Sequence, residues 1–161
     1  MAIGQKKGWA YLDEEYCFNL WNDLGSVGKA HRAIVDEIWI NPETGEREYR
    51  WRNRERLSAS NSGEPSERAV EVAAIRFAIR NVVEARKRII NANGGEWAED
   101  WYDYLSWLLK RLPNIIYKTE YNDRVNDILE VAGRELSTEK FERLIDAYEG
   151  VIHAHSGKEY A

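Results

Sequence analysis

A single cysteine, Cys17, stands in 161 residues. One thiol makes neither an intramolecular disulfide nor a multi-cysteine zinc site. Three prolines and eleven glycines are too few for a linker-rich or collagen-like chain. No apolar run approaches the roughly 18–20 residues that span a bilayer. The opening stretch, MAIGQKKGWAYLDEE, has lysines but no apolar stretch behind them, so no secretory leader is expected. A Ser/His/Asp signature, a phosphate-binding glycine loop and a dinucleotide fingerprint are also missing. No catalytic residue, no cofactor and no metal are therefore expected. What the chain has in quantity is aromatic: seven Trp, nine Tyr and three Phe. These rings supply burial energy that disordered chains lack. The expectation is a folded, cytoplasmic protein with no membrane partner.

The net charge of −5 is unevenly spread. Residues 1–95 carry 15 Lys and Arg against 14 Asp and Glu, and residues 96–161 carry 8 against 14. The acidity is thus a C-terminal property, and the first 95 residues stay open to an anionic partner.

Hydrophobic spacing predicts a mainly α fold. Residues 12–24 read as a short amphipathic helix, with Leu12, Tyr16, Leu20 and Leu24 at i+4 and Cys17 and Trp21 beside them. Gly25 suits its end and Ser26 can cap a second helix, about 27–38. The period then changes. Ile38-Trp39-Ile40, the turn Asn41-Pro42-Glu43-Thr44-Gly45 and the return Arg47 to Arg52 predict a β-hairpin insertion, 38–52. Pro65 and Ser66 open a third helix expected to run from 66 to about 90. On it Arg76, Arg80, Glu84 and Lys87 fall within a sector of about 80°. Asn91 to Gly95 breaks the chain. A fourth helix is expected at about 96–111, ended by Pro113. A fifth, about 120–132, closes at Gly133, and a sixth, about 138–153, is capped by Ser137 or Thr138. The predicted architecture is a three-helix N-terminal unit, 1–91, that carries the hairpin, and a C-terminal helical bundle, 96–155.

Three groups of residues could carry chemistry. Five arginines fall within 47–56, among them Arg47, Arg50, Arg52 and Arg54, interleaved with Tyr49 and Trp51. Arginine forks match phosphate oxygens, and a two-stranded ribbon fits a DNA groove. Glu46, Glu48 and Glu55 leave this stretch only weakly basic. Second, Glu96, Glu99, Asp100 and Asp103 would share one face of a helix. Helical nucleotide pyrophosphatases hold Mg²⁺ on such carboxylates, and Glu120, Asp123 and Asp127 could supply a second set. A solvated acidic face explains the same residues without metal. Third, Trp97, Trp101, Tyr104 and Trp107, with Tyr102, exceed what one face of a small bundle hides, which points to self-association. His153 and His155 are two ligands and make no closed metal site. Cys17 reads as a small core residue.

The segment Leu24-Gly25-Ser26-Val27-Gly28-Lys29-Ala30-His31-Arg32-Ala33-Ile34 resembles the helix–turn–helix of phage and mobile-element DNA-binding proteins. The turn Asn41 to Gly45 and the stretch Ser66 to Arg80 are similar to elements that follow it in that group. The resemblance implies Lys29, His31 and Arg32 near the phosphate backbone, and Arg68, Arg76 and Arg80 on or beside a reading helix. The connection from about 38 to 65 is longer than the usual three- to four-residue turn. The whole layout is similar to phage small terminase subunits and to small phage transcription regulators alike. The expected function is double-stranded DNA binding with self-association through the C-terminal helices. An interaction protein without DNA binding, and an Mg²⁺-dependent pyrophosphatase, are the alternatives.

Overall fold

The computed structural model describes residues 12–40, 43–49, 65–92 and 94–154. They are mainly helical, as the spacing predicts. The chain forms two compact units, residues 1–74 and 75–161. The division falls inside a helix rather than at 91–96. Residues 75–91 lie in the C-terminal unit because their apolar side chains and arginines pack there.

In the N-terminal unit, α1 (Glu14–Leu24) is capped by Asp13, whose carboxylate accepts from Tyr16 N at 3.0 Å. Gly25 takes a left-handed φ of 87° and closes it, with its N–H on Trp21 O. That conformation is strained for any residue with a Cβ. Ser26 immediately caps α2 (Val27–Val35), its Oγ accepting from Lys29 N at 3.1 Å. The inward face of α1 is Cys17 and Phe18, while Tyr16 and Leu24 are exposed. The i+4 series from Leu12 is therefore not the buried stripe. Each i+4 step advances about 40° around a helix, so the series winds off the face that meets Ala30 and Ile34.

After α2 come two three-residue strands, β1 (Ile38–Ile40) and β2 (Arg47–Tyr49). They pair antiparallel, with Ile38 opposite Tyr49 and Ile40 opposite Arg47. The remainder of the expected hairpin, 50–52, lies outside the described residues. Ser66 then caps α3 (Glu67–Arg80), accepting from Ala69 N at 3.0 Å.

The expected helix 66–90 is two helices. Asn81 (φ −134°, ψ 62°) separates α3 from α4 (Val82–Asn91). Its side-chain amide donates to Phe77 O at 3.0 Å, the same carbonyl its backbone N–H uses. Asn competes locally with the helical ladder in this way. The fourth expected helix is also corrected. Gly95–Glu99 forms a 3-10 turn, and α5 begins at Trp101 and runs to Ile115. Asp100 is its N-cap, accepting from Tyr102 N at 2.8 Å. Pro113 lies within α5 rather than ending it. It removes one ladder bond, but Ile115 and Ile116 beyond it are buried, and that burial keeps the last turn in place.

A 3-10 turn (Lys118–Glu120) leads into α6 (Tyr121–Glu135), which continues through the exposed Gly133. Val131 and Ala132 are buried just before that glycine, so packing carries the helix past it. Ser137 caps α7 (Thr138–Ala147), and Tyr148 separates it from the short α8 (Glu149–Ile152). The C-terminal core gathers Ile79, Tyr104, Leu105, Leu108, Leu109, Leu112, Ile128 and Leu144, all fully buried. Tyr104 donates its hydroxyl to Val82 O at 2.6 Å, which satisfies the polar end of a buried ring.

Candidate nucleic-acid interface

The N-terminal unit places two helix starts together. His31 Nε2 donates to Pro65 O at 2.8 Å, across 34 residues of sequence. A carbonyl only accepts, so this bond fixes the proton on Nε2. Pro65 is buried at this junction. A Cβ on Gly28 would lie 3.8 Å from Glu67 Oε2, so the first turn of α2 also borders the first turn of α3. The histidine thus acts as a clasp between the two elements, rather than offering its Nε2 to a ligand.

Lys29 and Arg32 are exposed on α2, and Arg68 is exposed on the first turn of α3. Arg68 Nη1 pairs with Glu71 at 3.0 Å, an exposed i,i+3 pair of small worth. Glu67 and Glu71 stand among these cations, so the attraction here is short-ranged. Arg47 is exposed at the start of β2. Arg50, Arg52 and Arg54 lie outside the described residues.

Arg76 and Arg80 take another role. Both lie in the C-terminal unit, where Arg76 Nε donates to Ile115 O at 2.8 Å. Its guanidinium lies over the Tyr117 ring, 4.2 Å from the centroid. Arg80 grips Glu120 with two nitrogens, Nε at 3.0 Å. The hydrogen bond and charge of Arg80, with Arg124 and Arg76 adding attraction, hold the Glu120 carboxyl below its usual range. Folding therefore favours the ionised form. That contribution is complete above the unfolded pKa and fades as pH falls through the folded one. Glu120→Gln is expected to lower the melting temperature at pH 7 and to lose that deficit progressively as pH falls below the usual carboxylate range and through the depressed folded-state pKa, read from thermal melts across pH. A deficit constant with pH would show that the charge is not what counts.

The four carboxylates expected on one helical face are split. Glu96 and Glu99 belong to the 3-10 turn, Asp100 is spent on capping, and Asp103 belongs to α5. Among the described residues no cluster of three or more His, Cys, Asp or Glu side chains could hold a metal ion. Cys17 is fully buried, and burial, with Asp13 and Glu14 adding repulsion, pushes its thiol up to about 12. A thiol so held is not a nucleophile at neutral pH.

The aromatic excess is largely taken up inside the C-terminal unit. Trp97 folds back on the 3-10 turn against Trp107, with ring centroids 5.2 Å apart, and against Tyr104 at 6.1 Å. Trp101 meets Tyr104 edge-on, and the Arg86 guanidinium covers Trp101 at 4.0 Å. Arg86 is itself fixed by the carbonyls of Ala98 and Glu99. Arg111 lies over Trp107 at 4.5 Å. Tyr104 is fully buried, Trp101, Tyr102 and Trp107 are half-buried, and Trp97 is exposed. No described helix is long and apolar enough to cross a membrane.

Sequence reasoning missed the cluster of Arg76, Arg80, Tyr117, Glu120 and Arg124. Its members are up to 48 residues apart in the chain; Arg76 and Arg80 carried a signal only as a helical stripe assigned to DNA, Glu120 only as a candidate metal ligand, and Tyr117 and Arg124 none. No family model, curated protein or solved structure matches this chain.

Proposed function

We propose that the N-terminal unit binds double-stranded DNA, in the manner of a phage-type small terminase subunit or transcription regulator. The observation that carries this reading is the clasp between His31 and Pro65. It sets the starts of two capped helices side by side, with exposed Lys29, Arg32 and Arg68 around them. Helix starts offer backbone N–H groups to phosphates, and cations beside them fix register on the duplex. Arg47, exposed at the start of β2, is assigned to the same DNA-binding role as a further phosphate contact. Arg76 and Arg80 are left out of it, because their guanidinium groups serve Ile115, Tyr117 and Glu120.

The same reading gives the C-terminal unit the task of self-association, supported by the ring surface that Trp97, Trp101 and Trp107 leave at the exterior. A duplex titration tests the DNA reading. With three phosphate contacts, affinity is expected to fall about 40-fold between roughly 50 and 200 mM salt. Binding at the lower salt no tighter than that of a neutral control protein would refute it.

A further inference from the structure

The Arg76–Tyr117 pair has features that fold stability does not require. Tyr117 is 53% exposed, although it sits between the buried Ile116 and Tyr121 in sequence. Its ring is nevertheless fixed on one side, because the Arg76 guanidinium lies over it at 4.2 Å. Arg76 is fixed in turn by its Nε bond to Ile115 O. Among the described residues no hydrogen-bond partner is found for the two terminal nitrogens of Arg76. Arg80 lies 5.9 Å from the same ring centroid, and Arg124 approaches Glu120 at 3.8 Å and Asp127 at 3.3 Å. Three guanidinium groups thus gather where Glu120 and Asp127 supply two carboxylates. The Lys118 side chain is exposed one residue beyond Tyr117.

We propose that this surface of the C-terminal unit binds a nucleotide, the base stacking on Tyr117 and the phosphate meeting the terminal nitrogens of Arg76. An exposed aromatic ring backed by arginine is a platform for a planar base. A half-buried guanidinium anchored through Nε and held over a ring is oriented in advance for phosphate oxygens. Arg76 supplies the attraction, and Glu120 holds Arg80 and Arg124 in place beside it. The nucleotide is either a free mononucleotide or one unit of a single strand, since the chemistry is shared. The two readings concern different units of the chain, and neither depends on the other.

Calorimetric titration of the full chain tests it with adenosine monophosphate, inorganic phosphate and a single-stranded oligodeoxyadenylate. Stacking predicts that the mononucleotide binds at least about fivefold more tightly than phosphate. Tyr117→Ala, at an exposed position, should remove that preference and leave duplex binding unchanged. Arg76→Gln should abolish binding of both the mononucleotide and phosphate, with Tyr117→Ala standing as the independent test if Arg76→Gln fails to fold. Tighter binding of the oligonucleotide identifies a single strand as the source, and equal or weaker binding identifies the free nucleotide. Failure to bind the mononucleotide or the oligonucleotide at millimolar concentration overturns the proposal. So does an unchanged preference in Tyr117→Ala.

Discussion

Gly95→Ala is expected to destabilise the C-terminal unit by about 3 kcal/mol, more than any exposed substitution in the chain. An added Cβ would lie 1.8 Å from Ile89 O and 2.6 Å from Ile89 C. Those are backbone atoms of the last turns of α4, so no side chain can swing aside. Relief requires moving the 3-10 turn off α4, and that turn carries Trp97 and the buried Ala98. Its neighbour provides the control. Gly94 has a φ of 77°, but a methyl added there would meet nothing within 4 Å, so Gly94→Ala brings only backbone strain of about 1 kcal/mol. Urea denaturation of both variants separates the two causes. Equal losses would mean that the close approach at Gly95 is not what selects glycine there.

Replacing Lys29, Arg32 and Arg68 together by alanine is expected to weaken duplex binding by two to three orders of magnitude at about 0.1 M salt. Each phosphate contact releases close to one counterion, worth roughly eightfold at that salt concentration. All three side chains are exposed, and the Arg68–Glu71 pair is a surface pair, so the melting temperature should stay within about 2 °C. Gel retardation and thermal melts on the same preparation check both halves. Unchanged binding would move the interface elsewhere on the chain, and a large drop in melting temperature would mark these cations as structural.

Local chemistry made part of this fold legible. Ser26 and Ser137 each cap the helix their position announced, and Gly25 turns the chain between α1 and α2. The failures have two causes. Asn81 ends α3, where a run of apolar residues on both sides reads as one helix. Pro113 fails to end α5, because the burial of Ile115 and Ile116 outweighs the missing ladder bond. The first is a local competition, the Asn81 amide bonding Phe77 O, and the second is a tertiary effect that overrides local preference. The arginine stripe shows the same limit more sharply. Spacing places Arg76 and Arg80 on one side of a helix, but it is silent on what lies opposite. Opposite them are Ile115, Tyr117 and Glu120, contributed about 40 residues later. The role of His31 was equally hidden, because its partner is a backbone carbonyl, and backbone carbonyls leave no mark in a sequence.

The salt dependence of duplex affinity, measured on the unsubstituted chain and on the triple variant of Lys29, Arg32 and Arg68, tests the DNA-binding claim most directly. Three lost phosphate contacts predict a log–log slope shallower by about 2.7 in the variant. Equal slopes for the two proteins, or no duplex binding by the unsubstituted chain, would contradict the assignment of this surface to DNA.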